Sequence, residues 1–91
     1  MPSIDISRSH SLGKEGARDV VEKVAARMQA KFDVSTHWEG DTLKFQRSGV
    51  DGAISVEPTH VNVSAKLGML LSPLKPMIEQ EIARKLDEYL A

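Results

Sequence analysis

Apolar residues alternate with polar ones along five segments of this chain, which predicts five strands that each bury one side. The first segment, residues 3–10, places Ile4 and Ile6 on the buried side. Over residues 12–32, apolar residues then recur at three- and four-residue steps, the spacing of an amphipathic helix. A second stripe of this kind covers residues 70–90. The other four alternating segments are residues 33–39, 41–48, 52–58 and 60–67.

The predicted elements therefore follow the order β-α-β-β-β-β-α. At 91 residues the chain is expected to form one domain, residues 1–91, since single domains commonly contain about 100–150 residues. A sheet with one apolar face needs one cover layer, and the two amphipathic helices can supply it. We predict an α+β fold in which one antiparallel, mostly meander sheet carries both helices on one face.

Loop lengths predict which residues of neighbouring strands lie opposite each other. A two-residue turn at Glu39-Gly40 places Val34 opposite Phe45, and a four-residue loop at residues 48–51 places Phe45 opposite Ile54. In each case apolar residues face apolar ones, and a one-residue slip would break this match. The last hairpin, with a loop at residues 57–60, gives two further pairs: Ile54 with Val63 and Val56 with Val61.

The helix ends carry weaker signals than the helix faces. Ser11 is the predicted N-cap of the first helix. In the last helix, Ser72-Pro73 suits an N-cap followed by a first helical residue, but Pro76 would then remove a helical hydrogen bond. Either the first turn of this helix is irregular, or residues 69–71 form a separate short turn.

Charge and composition narrow the function classes. The net charge is −1 and basic residues are interspersed with acidic ones, so no nucleic-acid partner is expected. Without cysteine, the chain has no disulfide, thiolate nucleophile or cysteine-based zinc site. The first ten residues lack the features of a secretory signal, and no apolar run approaches the roughly 18–20 residues of a membrane span. We therefore expect a cytoplasmic protein.

The polar residues do not predict an enzyme. Glu39 and Asp41 flank a turn glycine, where carboxylates accept backbone hydrogen bonds more often than they form an acid–base pair. The histidines, His10, His37 and His60, match no metal-binding spacing, and no serine stands in a G-x-S-x-G turn. We expect no catalytic residue, no cofactor and no metal.

One end of the apolar face carries the first candidate site. Trp38 is expected at a strand end, either as core with its indole N–H at the rim or as the wall of a pocket. Arg8 points inward by parity, and a buried arginine needs a partner. Asp41, close to Trp38 in sequence, is the predicted partner of Arg8 in a structural ion pair at the rim of the sheet.

The start of the last helix is rich in leucine and methionine. Such residues are more often the core stripe of a helix, but those of this segment cannot all face one sheet. Exposed apolar patches of this kind usually mark partners. The second candidate site is therefore a contact surface formed by Met69, Leu70, Leu71 and Met77.

Five short motifs span most of the chain: I-D-I-S-R-S-H-S-L-G at Ile4–Gly13, A-R at Ala17-Arg18, W-E-G-D-T-L-K-F at Trp38–Phe45, G-V-D-G-A-I at Gly49–Ile54 and L-G-M-L-L at Leu67–Leu71. As a set they resemble the polyhydroxyalkanoic acid system protein family, small bacterial proteins named for their association with polyhydroxyalkanoate storage genes and granules. The resemblance implies a cytoplasmic role in granule association or regulation and supplies no catalytic residue. The order of elements also resembles a trimmed helix-grip fold.

Three hypotheses follow. The first is a non-enzymatic accessory protein of bacterial polyhydroxyalkanoate storage that contacts the granule, or a granule protein, through the second candidate site. The second is a small binder of an acyl or hydroxyacyl group, with Arg8, Trp38 and Phe45 lining a pocket between the sheet and the last helix. The third, an enzyme, has least support. Free edge strands also favour a homodimer, although the sequence does not choose its interface.

Overall fold

The computed structural model describes residues 3–90 and confirms the predicted α+β order of elements. Five strands and two α-helices follow one another in the order β-α-β-β-β-β-α, and a 3₁₀ segment precedes the last helix. Their bounds are β1 (Ser3–Ser9), α1 (Gly13–Phe32), β2 (Ser35–Glu39), β3 (Thr42–Arg47), β4 (Val50–Val56), β5 (His60–Leu67), the 3₁₀ segment (Met69–Leu74) and α2 (Lys75–Leu90).

The sheet has the strand order β1-β5-β4-β3-β2, and every neighbouring pair is antiparallel. After β1 the chain crosses the sheet in α1, which at 20 residues is about 30 Å long. The meander of β2 to β5 then brings β5 back beside β1. As a result, β1 and β2 form the two opposite edges of the sheet.

Both helices cover one face of this sheet. Helix α1 packs against β4 and β2, whereas α2 packs against β1. The helices run antiparallel, because Lys31 near the end of α1 contacts Glu81, while Lys23 lies over the ring of Tyr89 near the end of α2. The inner faces of both helices and one face of the sheet form a single hydrophobic core.

The predicted register is confirmed for the last hairpin, where Ile54 pairs with Val63 and Val56 with Val61. It is wrong by two residues in the other two hairpins. Their loops are Gly40-Asp41 and Ser48-Gly49, and each glycine has a positive φ, 62° and 88°, which suits a two-residue loop. A shift of two keeps every side chain on its predicted face. The observed pairs are Thr36 with Phe45, Trp38 with Leu43, Leu43 with Ile54, and Phe45 with Gly52.

The start of α1 differs from the prediction. Leu12, not Ser11, occupies the N-cap position, and no side chain caps the helix there. The Leu12 N–H instead donates to Nδ1 of His10 at 3.2 Å, and Nε2 of His10 lies 3.0 Å from the carbonyl oxygen of Glu57. His10 is therefore a buried bridge between the start of α1 and the β4–β5 loop.

Of the two alternatives for the start of the last helix, the structure has a separate segment, which runs over Met69–Leu74 rather than over residues 69–71 alone. Pro73 lies inside the 3₁₀ segment, which corrects its predicted position as the first residue of an α-helix. Helix α2 begins two residues later, at Lys75. Pro76 then falls in the first turn, where a missing N–H removes no intrahelical hydrogen bond.

Candidate functional site

Met69 and Leu70, which we call the apolar tip, are the most exposed large hydrophobic residues of the described chain. Their side chains are 86% and 95% exposed. The next residue, Leu71, turns inward, packs against the core and lies close to Gly49 in the β3–β4 loop. The tip thus leaves two apolar side chains in solvent although the residue beside them is anchored.

Hydrogen bonds on both sides hold the backbone of the apolar tip. Before it, the Gly68 N–H donates to the carbonyl oxygen of Gly49 at 2.8 Å. After it, the Leu71 N–H donates to the Gly68 carbonyl at 3.1 Å, and the Ser72 hydroxyl donates to the Met69 carbonyl at 3.0 Å. The tip is therefore a fixed projection at the end of β5.

The structure exposes three of the four residues of the predicted contact surface. Met77, in the first turns of α2, is 52% exposed and lies in a groove that Lys31 and Arg84 also line. Leu71 is only half-buried, but its packing against Gly49 gives it a structural role. Whether these residues bind a partner stays a prediction.

The predicted ion pair between Arg8 and Asp41 is wrong. Arg8 Nε donates to Asp87 Oδ1 of α2 at 2.7 Å. Asp41 instead accepts from Lys14 Nζ at 2.8 Å and Arg18 Nη1 at 3.3 Å. The physical reason is the strand order, which puts β1 and the β2–β3 loop at opposite edges of the sheet.

Trp38 belongs to a clamp that fastens the β2–β3 hairpin to α1. The guanidinium carbon of Arg18 lies 4.0 Å from the centre of the indole ring, within the range of a cation–π contact. The indole N–H donates to Glu22 Oε1 at 3.0 Å, and Arg18 also donates to the carbonyl of Gly40 at 2.9 Å. Trp38 itself is half-buried against the core, which agrees with its interpretation as a rim residue with a bonded indole.

Asp41 completes this clamp and has a perturbed acidity. The hydrogen bond from Lys14, with the charges of Lys14 and Arg18, lowers the pKa of Asp41 below its usual value of 3.8. The same contact raises the pKa of Lys14. All three side chains are substantially exposed, so the pair is expected to order the turn rather than to stabilise the fold strongly.

We expect replacement of Lys14 by methionine to raise the pKa of Asp41 back toward 3.8, because the hydrogen bond from Lys14, the main cause of the lowered pKa, is lost. Carboxyl carbon chemical shifts followed by NMR during an acid titration would measure this change. Lys23→Met, on the same helix but away from Asp41, is the matched control and should leave the titration unchanged. A wild-type Asp41 that titrates at or above 3.8 would contradict the prediction.

A second polar cluster joins the two helices, and the hydrophobic pattern does not predict it. The Glu81 carboxylate is only 4% exposed and accepts hydrogen bonds from three cations. Arg27 Nε lies 2.9 Å from Oε1, and Lys31 Nζ and Arg84 Nη2 lie 3.2 Å and 2.9 Å from Oε2. These donors, that of Arg27 first, lower the pKa of Glu81 to about 2.

Position alone could have drawn attention to Glu81. It follows Ile78 by three residues and precedes Ile82, so it lies at the border of the buried stripe of α2. On α1, Lys23, Arg27 and Lys31 recur at four-residue steps and form one basic face. Only the antiparallel packing of the helices shows that the basic face of α1 meets the carboxylate of α2.

A family model of polyhydroxyalkanoic acid system proteins matches residues 4–90 of the chain. The chain belongs to this family. Searches of the curated proteins and of the solved structures found no match. The resemblance inferred from the five motifs is thereby confirmed.

In this family member, the W-E-G-D segment and the A-R dipeptide have a structural explanation. Ala17 is buried against the core, Arg18 stacks on Trp38, Gly40 takes the positive φ of the hairpin loop and Asp41 accepts from α1. These motif residues therefore position a hairpin on a helix. This function needs no ligand or substrate.

The structure does not bring together the four residues of the predicted rim or pocket, Arg8, Trp38, Asp41 and Phe45. Arg8 lies at the β1 edge, whereas Trp38 and Asp41 lie near the β2 edge. Phe45 is fully buried under the helices between them. The groove beside Trp38 is shallow and open, and it lies between α1 and β2 rather than between the sheet and α2.

A metal site and a membrane-spanning helix are both absent from residues 3–90. No three His, Asp or Glu side chains of this range lie close enough together to hold a metal ion. Neither of the helices described has the length and apolar character needed to cross a membrane.

Proposed function

We propose that this protein is a non-enzymatic accessory protein of polyhydroxyalkanoate storage that attaches to the polymer granule in the cytoplasm through its apolar tip. Family membership supports the link with storage. The observation that supports attachment is the exposure of Met69 and Leu70 on a backbone that is hydrogen-bonded to Gly49 through Gly68.

The exposed side chains have no evident role in the fold. Leu71 and Leu74, in the same 3₁₀ segment, already pack against the core, so Met69 and Leu70 add nothing to it. Burying a methionine or leucine side chain contributes about 1.5–3 kcal/mol each. An aliphatic polyester surface can supply this burial, and a fixed tip loses little conformational entropy when it docks.

We expect the double variant Met69→Ser/Leu70→Ser to lose at least about tenfold in granule association, since tenfold corresponds to about 1.4 kcal/mol. The test compares the fractions of wild type and variant that sediment with granules isolated from polymer-accumulating cells on a density gradient. The free energies of unfolding of the two proteins should agree within about 0.5 kcal/mol, because both positions are exposed.

Leu12→Ser provides a matched control at the other end of the molecule. Leu12 is 46% exposed and lies beside His10, where β5 begins, whereas the tip follows the end of β5, roughly 25 Å away. The control should sediment like the wild type. Equal sedimentation of the tip variant and wild type would overturn the proposal. So would a dimer, measured by light scattering, that the tip variant dissociates, since a second copy would then cover the tip.

A further inference from the structure

Around Glu81, positive charge exceeds negative charge. Arg27, Lys31 and Arg84 all bond to one carboxylate, which leaves a surplus of two positive charges in this cluster. The low pKa of Glu81 keeps its carboxylate charged at neutral pH, so the surplus is two positive charges rather than three. One cation neutralises the carboxylate, so the other two are not needed for charge balance.

The three cations also have N–H groups that do not bond to Glu81. Within the described chain, the bonds to Glu81 use only Nε of Arg27, Nη2 of Arg84 and the ammonium of Lys31. A guanidinium has five N–H donors in a planar fork, and an ammonium has three. The unused donors can bind the two oxygens of a carboxylate in bidentate fashion.

An open groove of about 570 Å³ adjoins this cluster, lined by α2 and by Lys31 at the end of α1. Lys31 and Arg84 line it together with the apolar side chains of Met77 and Ala83. Gln80 adds an amide, which can bond a hydroxyl group. The Glu81 carboxylate, bonded to both cations, is also part of the lining. The groove therefore combines two cations on a carboxylate, an apolar wall and one neutral polar group.

We infer that this groove binds amphipathic monocarboxylates of the hydroxyalkanoic acid class. The carboxylate lies on Arg84 and Lys31, and the short aliphatic chain lies along Met77 and Ala83. The amide of Gln80, which lines the same groove, can bond the hydroxyl group of the ligand. This inference concerns soluble acids and does not depend on the apolar tip, so either proposal can fail without the other.

Asp87 is the remaining acidic residue in the lining of the groove. Its Oδ1 accepts from Arg8 Nε at 2.7 Å, so a cation of β1 offsets its charge. Asp87 also lies one turn from Arg84 along α2, on the side away from Lys31 of α1. It therefore favours binding of the ligand carboxylate on the Lys31 side of Arg84, away from Asp87.

The test is an NMR titration of the purified full chain with sodium 3-hydroxyoctanoate at constant ionic strength, with inorganic phosphate as the comparison anion. We expect saturable shifts in the backbone amides of residues 77–87 and of Lys31. Arg84→Gln should raise the apparent Kd at least fivefold. If Arg84→Gln melts at a lower temperature than wild type, Lys31→Gln, which removes the other cation of the lining, should raise the Kd by a similar factor.

Lys23→Gln is the matched control, because it removes a cation of the same α1 face one turn away from the cluster. It should change the Kd less than twofold. Met77→Ser should weaken the binding of 3-hydroxyoctanoate more than that of 3-hydroxybutyrate, because the shorter chain gains little from contact with the apolar wall. Shifts that do not saturate, or that respond equally to Lys23→Gln and Arg84→Gln, would overturn the inference. Phosphate binding as tight as that of 3-hydroxyoctanoate would also overturn it.

Discussion

Alanine at Gly52 is expected to lower the free energy of unfolding by about 1–3 kcal/mol, the usual cost of overpacking a core. Gly52 lies directly opposite Phe45 in the sheet, and the ring of Phe45 covers it. A Cβ at this position would lie 2.6 Å from Cε2 of Phe45 and 2.8 Å from Cβ of Ala65. Since Phe45 is fully buried, its ring has no free space into which to move.

Urea denaturation of wild type and three variants would measure this effect. Gly68→Ala is the matched control, because a Cβ there would meet its nearest neighbour at 3.5 Å, an ordinary contact. The control should change the free energy of unfolding by less than about 0.5 kcal/mol. Phe45→Leu in the Gly52→Ala background should recover part of the loss, since a smaller side chain leaves room for the methyl group. A Gly52→Ala protein as stable as wild type would contradict the packing described here.

Glutamine at Glu81 is expected to remove a pH-dependent part of the stability. The pKa of Glu81 is about 2 in the folded protein and near 4.5 when unperturbed, so the unfolded state binds the proton more tightly. Its stabilisation is therefore complete above about pH 4.5 and is lost as the pH falls toward 2. The cations are partly exposed, which limits the effect to about 1–3 kcal/mol.

Chemical denaturation at pH values between 2 and 6 would show the difference. The wild-type stability should fall through this range more steeply than that of Glu81→Gln, and the two curves should converge at the acidic end. Glu88→Gln is the matched control on the same helix, because Glu88 is exposed and bonds only to Lys85 among the described residues. Parallel curves for wild type and Glu81→Gln would show that the folded protein does not lower the pKa of Glu81.

The two wrong registers show what a strand pattern can and cannot determine. Alternation assigns each side chain to a face, and Phe45 and Ile54 are buried as predicted. Shifting a strand by two residues leaves this assignment intact, so alternation cannot choose between turns at residues 39–40 and 40–41. For the same reason it cannot choose between a four-residue and a two-residue loop after β3. Gly49 is the residue that could have indicated the short loop, because glycine readily takes the positive φ that a two-residue loop needs.

The ion pairs show a different limit. Parity correctly brings Arg8 to the side of the sheet that faces the helices, where it reaches α2. Its partner depends on which strand lies beside β1, and the order of elements along the chain does not fix that choice. Pairing of β1 with β5 sends Arg8 to Asp87 and leaves Asp41 to Lys14 and Arg18.

The apolar tip is the part of the candidate site that the sequence anticipated. An excess of leucine and methionine before α2 cannot fit against one sheet, so some of these residues must be exposed. Which of them are exposed depends on the 3₁₀ segment, where Leu71 packs beside Gly49 while Met69 and Leu70 project. Leu70 and Leu71 thus differ in exposure because only Leu71 packs against a distant part of the chain, at Gly49.

By itself, the sequence determined the elements, their order and the buried face of each strand, and its five short motifs indicated the family. The elements and faces follow from periodicities of two and 3.6 residues, which are local and survive small errors of register. Tertiary structure alone decided the edge positions of β1 and β2, the cluster at Glu81 and the anchoring of the tip. Each of these depends on contacts between residues far apart in the chain, and such contacts leave no periodic trace in the sequence.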